Sequence, residues 1–330
     1  MSASHPTNTL PSQGALPLPD LHVLIAQGPD SASFLHGQLS QDVVHQSPDQ
    51  ARLAAYCSAK GRMLASTLNV RPHEDAVWLV TDASVSAALL KRLSMFVLRA
   101  KTRLSIAGDT SDAGDGVSVW GLAGASLLAR LGAAEIESDG LVRAWERGHL
   151  VRLPSVQGVP RWLWLGGESD AAWLASLPAL PPSTWSWLDV MSGVPRITQA
   201  TADQFVPQMV NFELLGGVNF QKGCYPGQEV VARSQYRGTV KRRATLFRVD
   251  GAGEAGGVRP GQEVFAEADP SQPAGMVVLA APWPDTRAWA ALVEVKLQAL
   301  GQALRLGSAD GPLLTPVPLP YSLETPEGAE

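Results

Sequence analysis

The order in which sequence textures follow one another constrains this chain most. A strand and a helix followed by three strands and a second helix occur in that order twice, and a long stretch of short strands without helix follows. Residues 21–26 alternate as a strand, and Gly28-Pro29-Asp30-Ser31 opens a helix with Pro29 in its first turn and Phe34, Leu35 and Leu39 facing inward. Residues 52–57, 63–70 and 76–80 predict strands, the last two joined by a hairpin turn over residues 71–75. Residues 85–97 place Leu89, Leu90, Leu93, Phe96 and Val97 on one helical face, and residues 103–107 predict another strand. The acidic, glycine-rich residues 108–116 read as a boundary. A second set then runs through a strand at 117–122, a helix at 125–131, a hairpin at 141–153, a strand at 161–165 and a helix at 170–177. Residues 178–182, rich in proline, end it, and a short helix at 185–191 leads on. After Arg243, short segments separated by Gly and Pro predict an antiparallel β-barrel of about eighty residues. The expected class is α+β.

Composition bounds the function. The chain has 330 residues, 45% of them hydrophobic and 17% charged, so a large core and more than one domain are expected. A net charge of −5 speaks against a protein that grips nucleic acid with its whole surface. Residues 1–18 read as a flexible tail rich in Ser, Pro, Thr and Gln, without the basic and apolar segments of a signal peptide. No apolar run reaches the roughly 18–20 residues of a membrane span. Two cysteines build no disulfide framework, so a cytoplasmic protein with no membrane partner is expected. The histidines at 5, 22, 36, 45, 73 and 149 are scattered and no C-x-x-C exists, so no metal site is expected, nor an all-cysteine iron–sulfur site. Residues 251–256 match the dinucleotide fingerprint by letter, but Gly257-Val258-Arg259-Pro260 blocks the helix such a site needs.

The densest chemistry lies in Lys222-Gly-Cys224-Tyr-Pro226-Gly227-Gln228-Glu229. Pro226 and Gly227 suit the two central positions of a type II turn, and a helix is expected from Gln228. A thiol reacts as thiolate, which a neighbouring lysine and a helix N-terminus both favour, so Cys224 is the candidate reactive thiol and Lys222 its activator. A buried structural cysteine in a loop is the bland alternative. Residues 222–243 hold six cations against the single anion Glu229, with Arg233, Arg237 and Lys241 four residues apart. That spacing gives a solvated helix face or a site for a small anion. Trp185 suits the core, and its indole also suits stacking on a flat ring.

The stretch from Phe205-Val206-Pro207-Gln208-Met209-Val210-Asn211 through the cysteine motif to Val231-Ala232-Arg233 resembles the YgfZ family, folate-binding proteins related to the glycine-cleavage T-protein. Phe34-Leu-His36-Gly-Gln-Leu39-Ser-Gln-Asp42, Cys57-Ser-Ala-Lys60-Gly61-Arg62 and Leu319-Pro-Tyr321-Ser-Leu-Glu324 resemble the family's other motifs, in order and over most of the chain. The resemblance implies a T-protein-like arrangement around a central folate cavity. Residues 19–110 with 183–243 would form the domain carrying the cysteine motif, residues 111–182 a second α+β unit, and residues 244–325 the barrel. It implies a cytoplasmic accessory protein for iron–sulfur cluster assembly or maintenance that serves iron–sulfur client enzymes, including those of tRNA modification, or cluster-assembly proteins. Trp185, Gln228, Arg233 and Arg237 would hold tetrahydrofolate or a related folate.

Two departures qualify that reading. T-proteins carry an aspartate after the lysine–glycine motif, whereas Arg62-Met-Leu-Ala-Ser66-Thr67 has no carboxylate, which speaks against ordinary aminomethyltransferase chemistry. Met191 stands where T-proteins have a pterin-binding glutamate, and Leu21 where some relatives have a second tryptophan. A folate-dependent one-carbon transferase is the enzymatic alternative, and an RNA-binding tRNA-modification factor the third. Whether Cys57 faces Cys224 is left open.

Overall fold

The computed structural model describes residues 13–108, 116–127, 138–145, 148–236, 240–284 and 286–324. The first sheet has the order β3-β4-β5-β2-β6, formed by β2 (Leu21–Gln27), β3 (Arg52–Cys57), β4 (Met63–His73), β5 (Ala76–Asp82) and β6 (Arg103–Ile106), with antiparallel neighbours throughout. Alternation along its strands divides the sheet into two faces. Leu24, Ala26, Ala54, Tyr56, Val77 and Leu79 meet helices α1 (Ser31–His36) and α2 (Ala83–Ser94) on one side. Val23, Ala55, Cys57 and Val80 face the centre of the molecule on the other. Helix α2 buries Val85, Leu89 and Leu93 at four-residue spacing, and its N-terminus is capped by Asp82, which accepts the Ser84 N–H at 3.0 Å. The helix stops at Ser94, short of the expected Val97, and Phe96 consequently points to solvent instead of the core.

The second sheet has the order β1-β7-β10-β9-β8, built from β1 (Gly14–Pro17), β7 (Val117–Ala123), β8 (Val142–Trp145), β9 (Gly148–Val156) and β10 (Val159–Gly167). It repeats the first sheet strand for strand, with β8, β9, β10 and β7 in the places of β3, β4, β5 and β2. The edge place that β6 holds in the first sheet is here taken by β1, which pairs antiparallel with β7 from Gly14↔Ala123 to Pro17↔Trp120. Residues 14–17 are therefore a strand and not part of a loose tail. Their hydrogen-bonding partner lies a hundred residues away, where no local signal reveals it. The helix expected at 170–177 is a 3-10 helix, Glu168–Ser176, and that expected at 125–131 is helical over 125–127, the part within the described residues. Most of the expected boundary at 108–116 lies outside the described residues.

Helix α3 (Pro182–Met191) has proline in its first turn and buries Trp185, Trp187, Leu188, Val190 and Met191, a nearly all-round apolar surface that suits a helix wedged between layers. It packs against the barrel strands β13 (Asp269–Pro282) and β14 (Trp289–Lys296). The barrel is closed in the order β11-β14-β13-β12-β15-β16, with β11 (Arg242–Val249), β12 (Glu263–Ala266), β15 (Leu304–Leu306) and β16 (Leu313–Val317). Along β14, Ala291, Val293 and Val295 fill the barrel, while Ala290 and Leu292 join the central core, so the strand is apolar on both faces. Residues 251–256 form a glycine-bounded 3-10 turn, Ala252–Ala255, leading to β12 without any α-helix.

Candidate functional site

The cysteine motif forms the turn its sequence demands. Pro226 and Gly227 occupy the two corners, Gly227 lies at φ 80°, and the Gln228 N–H donates to the Tyr225 carbonyl at 3.2 Å. Helix α4 (Gln228–Tyr236) starts immediately after. Cys224 is exposed and Cys57 buried, both as free thiols. Burial pushes the Cys57 thiol up to about 12, which makes it an inert core residue.

Lys222 is engaged elsewhere than at the thiol. Its ammonium donates to the carbonyls of His36 and, at 2.7 Å, of Leu39, and it lies 5.1 Å from the centre of the Tyr225 ring. Burial lowers Lys222 to about 8, opposed by the charges of Asp42 and Cys224. The loop it clasps carries a second network, in which Asp42 meets His36 Nδ1 at 3.1 Å and His45 Nδ1 at 2.8 Å. Burial disfavours the Asp42 carboxylate, but hydrogen bonds from His45 outweigh it and hold the group at about 2.

A separate cavity of about 310 Å³ opens between the two sheets and α3. Its apolar walls include Leu21, Leu53, Leu68, Val80 and Leu163, and its polar groups come from Arg52, Arg152, Arg161, Arg196, Asp139 and Asp189. Arg161 is 1% exposed, yet its Nη1 makes no hydrogen bond and reaches Asp189 only at 3.5 Å. Asp189 also pairs with Arg196 at 2.9 Å, and Arg196 reaches Asp82 at 3.1 Å, tying the cavity to the cap of α2. Trp185 lines the same space, its ring packed against Gly121 of β7 and 5.5 Å from the Arg161 guanidinium.

Of the expected ligand-holding residues that are described, Trp185 alone lines this cavity. Gln228 is partly exposed and Arg233 exposed on α4, and neither contributes to the wall; Arg237 lies outside the described residues. Cys224 and Lys222 do not line it either. Half of the basic segment's cations, Lys222, Arg242 and Arg243, are engaged internally. Arg242 bonds Glu294 at 2.7 and 2.8 Å beside a second cavity of about 290 Å³, and Arg243 pairs with Glu213. Sequence reasoning passed over Arg161, Asp189 and Arg152. A signal was present in Arg161, a charge set at the head of the apolar run Trp162-Leu-Trp164-Leu, since arginine is seldom buried without a partner.

Among the described residues no group of three His, Cys, Asp or Glu side chains is placed to hold a metal ion, and no helix is long and apolar enough to cross a membrane.

No protein-family model matches the sequence. The fold is that of the glycine cleavage system aminomethyltransferase T from Bartonella henselae, with a TM-score of 0.70 over 96% of this chain and 86% of that one, at 15% identity. In sequence the chain is 34% identical over 236 residues to the tRNA-modifying protein YgfZ of Edwardsiella ictaluri, covering 69% of this chain and 68% of that protein. It is 30% identical over 335 residues to the tRNA-modifying protein YgfZ of Vibrio vulnificus (strain YJ016), covering 96% of each. The chain belongs to the YgfZ family.

Proposed function

We propose that this chain is a folate-binding accessory protein that supports iron–sulfur enzymes, those of tRNA modification among them. Arg161 carries the proposal. A guanidinium sealed in the wall of a ligand-sized cavity, with its Nη1 3.5 Å from Asp189 and making no hydrogen bond, is costly unless a further acceptor completes its shell. The cavity volume falls at the small end of the roughly 300–1,000 Å³ usual for ligand pockets.

The lining suits a folate. A pterin and an aminobenzoyl ring need flat apolar walls, which Leu21, Leu53, Leu68, Val80 and Trp185 offer, and a glutamate tail needs cations, which Arg52, Arg152 and Arg161 offer. The Asp189 carboxylate meets one arginine at each oxygen and keeps its remaining lone pairs as acceptors for ring N–H groups. Bound tetrahydrofolate would bring one-carbon or redox chemistry, while these residues bind it, orient it and keep water out.

Cys224 is the accessible thiol of the proposal. One exposed cysteine supplies one ligand, so an iron–sulfur cluster is cargo completed by ligands from another protein. The names of the relatives support the tRNA-modification part of this reading. The transferase alternative lacks support: Ser66 and Thr67 bring hydroxyls to the cavity, and its carboxylates Asp139 and Asp189 are both paired with arginines. The RNA-binding alternative loses ground with the internal pairing of Lys222, Arg242 and Arg243. Iron–sulfur enzyme activities are to be compared in cells whose own copy is replaced by the wild-type chain or Cys224→Ser. The proposal expects lower activity with the variant at equal protein level, and equal activities would remove the thiol from it.

A further inference from the structure

Beyond Ser94 the chain turns its apolar side chains outward. Met95, Phe96 and Leu98 are 59%, 49% and 87% exposed, and no other stretch of the described residues exposes three large apolar side chains within four positions. Leu98 stands at φ 41°, at the first corner of a turn closed by the Ala100 N–H donating to the Val97 carbonyl at 2.7 Å. That left-handed conformation suits glycine or asparagine and is strained for leucine. Exposure and strain both oppose folding, and a glycine would relieve both, so the fold itself does not call for this residue. Backbone strain of this kind collects at functional surfaces.

The turn is held rigidly at its base. The Lys101 N–H donates to Asp30 Oδ2 at 2.7 Å, Ser31 Oγ and Thr102 Oγ1 are 2.8 Å apart, and Gly28 lies so close that a Cβ there would sit 2.2 Å from the Lys101 carbonyl oxygen. Flanking it along the chain are Lys91, Arg92, Arg99, Lys101 and Arg103, all exposed and none in an ion pair with another described residue. Residues 91–103 contain no acid, in a chain whose net charge is −5.

We propose that Met95, Phe96 and Leu98, flanked by these cations, form a docking knob for a partner protein that presents an apolar pocket rimmed by carboxylates. An apolar centre with a charged rim, rich in Met, Arg and aromatic side chains, is the make-up of protein–protein contacts. A single-stranded nucleic acid would call for several stacking rings, and Phe96 is the one ring here. A rigid turn also lowers the ordering cost of association. The inference rests on the reading that this chain serves other proteins, and on neither folate nor Cys224.

The test pans the full-length chain against a phage-displayed dodecapeptide library and measures the selected peptides by fluorescence anisotropy. Peptides combining Asp or Glu with Leu, Ile or Phe are expected to be enriched. Leu98→Gly is expected to weaken them by about tenfold or more while melting at an equal or higher temperature, since glycine suits the turn. Arg99→Glu with Lys101→Glu is expected to weaken them similarly. Both variants are expected to match the wild type in 5-formyltetrahydrofolate titrations, so this proposal and the folate reading fail independently. Peptides without an acidic bias, or bound equally by Leu98→Gly, would overturn it. So would loss, in that variant, of binding to bulk tRNA or to phosphatidylglycerol vesicles instead of peptides.

Discussion

Gly227 lies back to back with Gly61: a Cβ built on Gly227 would sit 2.7 Å from the Gly61 Cα and 2.3 Å from the Ser58 carbonyl oxygen. Both glycines have positive φ, 80° and 69°. The turn after Cys224 thus rests on the loop after Cys57, and only the absence of side chains lets two distant sequence motifs meet. Gly227→Ala is expected to lose about 3 kcal/mol, from left-handed strain plus the forced separation of the loops. Urea unfolding checks this, and an unchanged midpoint would show that the contact is dispensable.

The two thiols are expected to behave oppositely. Iodoacetamide at pH 8 should modify Cys224 alone in the native chain and both cysteines in urea, by mass spectrometry, because Cys57 is buried and raised to about 12. The folded state keeps the Cys57 proton between about 9 and about 12, where the unfolded chain has lost it. This contribution to stability is complete below pH 9 and fades as pH climbs towards about 12. The stability difference between wild type and Cys57→Ala should shrink over that range, and a flat difference would contradict it.

Lys222 carries the opposite sign. Its folded value of about 8 lies below the ordinary 10.5, so the unfolded chain binds the extra proton between those values and stability from this group rises with pH there. Wild type should therefore gain on Lys222→Met as pH climbs from about 8 to about 10.5. Near neutral pH the desolvation of the ammonium opposes its hydrogen bonds to His36 and Leu39, so Lys222→Met is expected to change stability by no more than about 1 kcal/mol. Denaturant midpoints across pH check both statements.

Arg242, partly exposed, pairs with the buried Glu294 on the outer face of the barrel. Arg242→Met should leave the Glu294 carboxylate without its partner and cost about 3 kcal/mol or more, whereas a joint Arg242→Met and Glu294→Gln change should recover much of the loss. A double-mutant cycle with no coupling would contradict this.

Apolar runs and helix periods carried most of the architecture in the sequence, because the turn-bounded apolar runs of β2 and β5 and the four-residue spacing in α2 are local records of burial. β1 left no such record: four residues containing Gly and Pro become a strand only when β7 offers an edge. The 222–243 segment misled for the converse reason. Cations adjacent in sequence suggest a shared patch, but Lys222 turns to the His36–Leu39 carbonyls, Arg242 to Glu294 and Arg243 to Glu213. The cavity is assembled from both sheets and α3, so the meeting of Arg161 with Asp189 exists only in three dimensions. Trp185 was found through a family resemblance and not through its own surroundings.

The central claim is that Arg161 marks a folate site, and calorimetric titration of the purified chain with 5-formyltetrahydrofolate tests it most directly. The predicted result is one folate bound per chain, with affinity lowered about a hundredfold in Arg161→Met through loss of a buried charged contact, while a Cys224→Ser chain binds as wild type does. No binding to the wild-type chain, or equal affinity in Arg161→Met with its fold intact, would contradict the account.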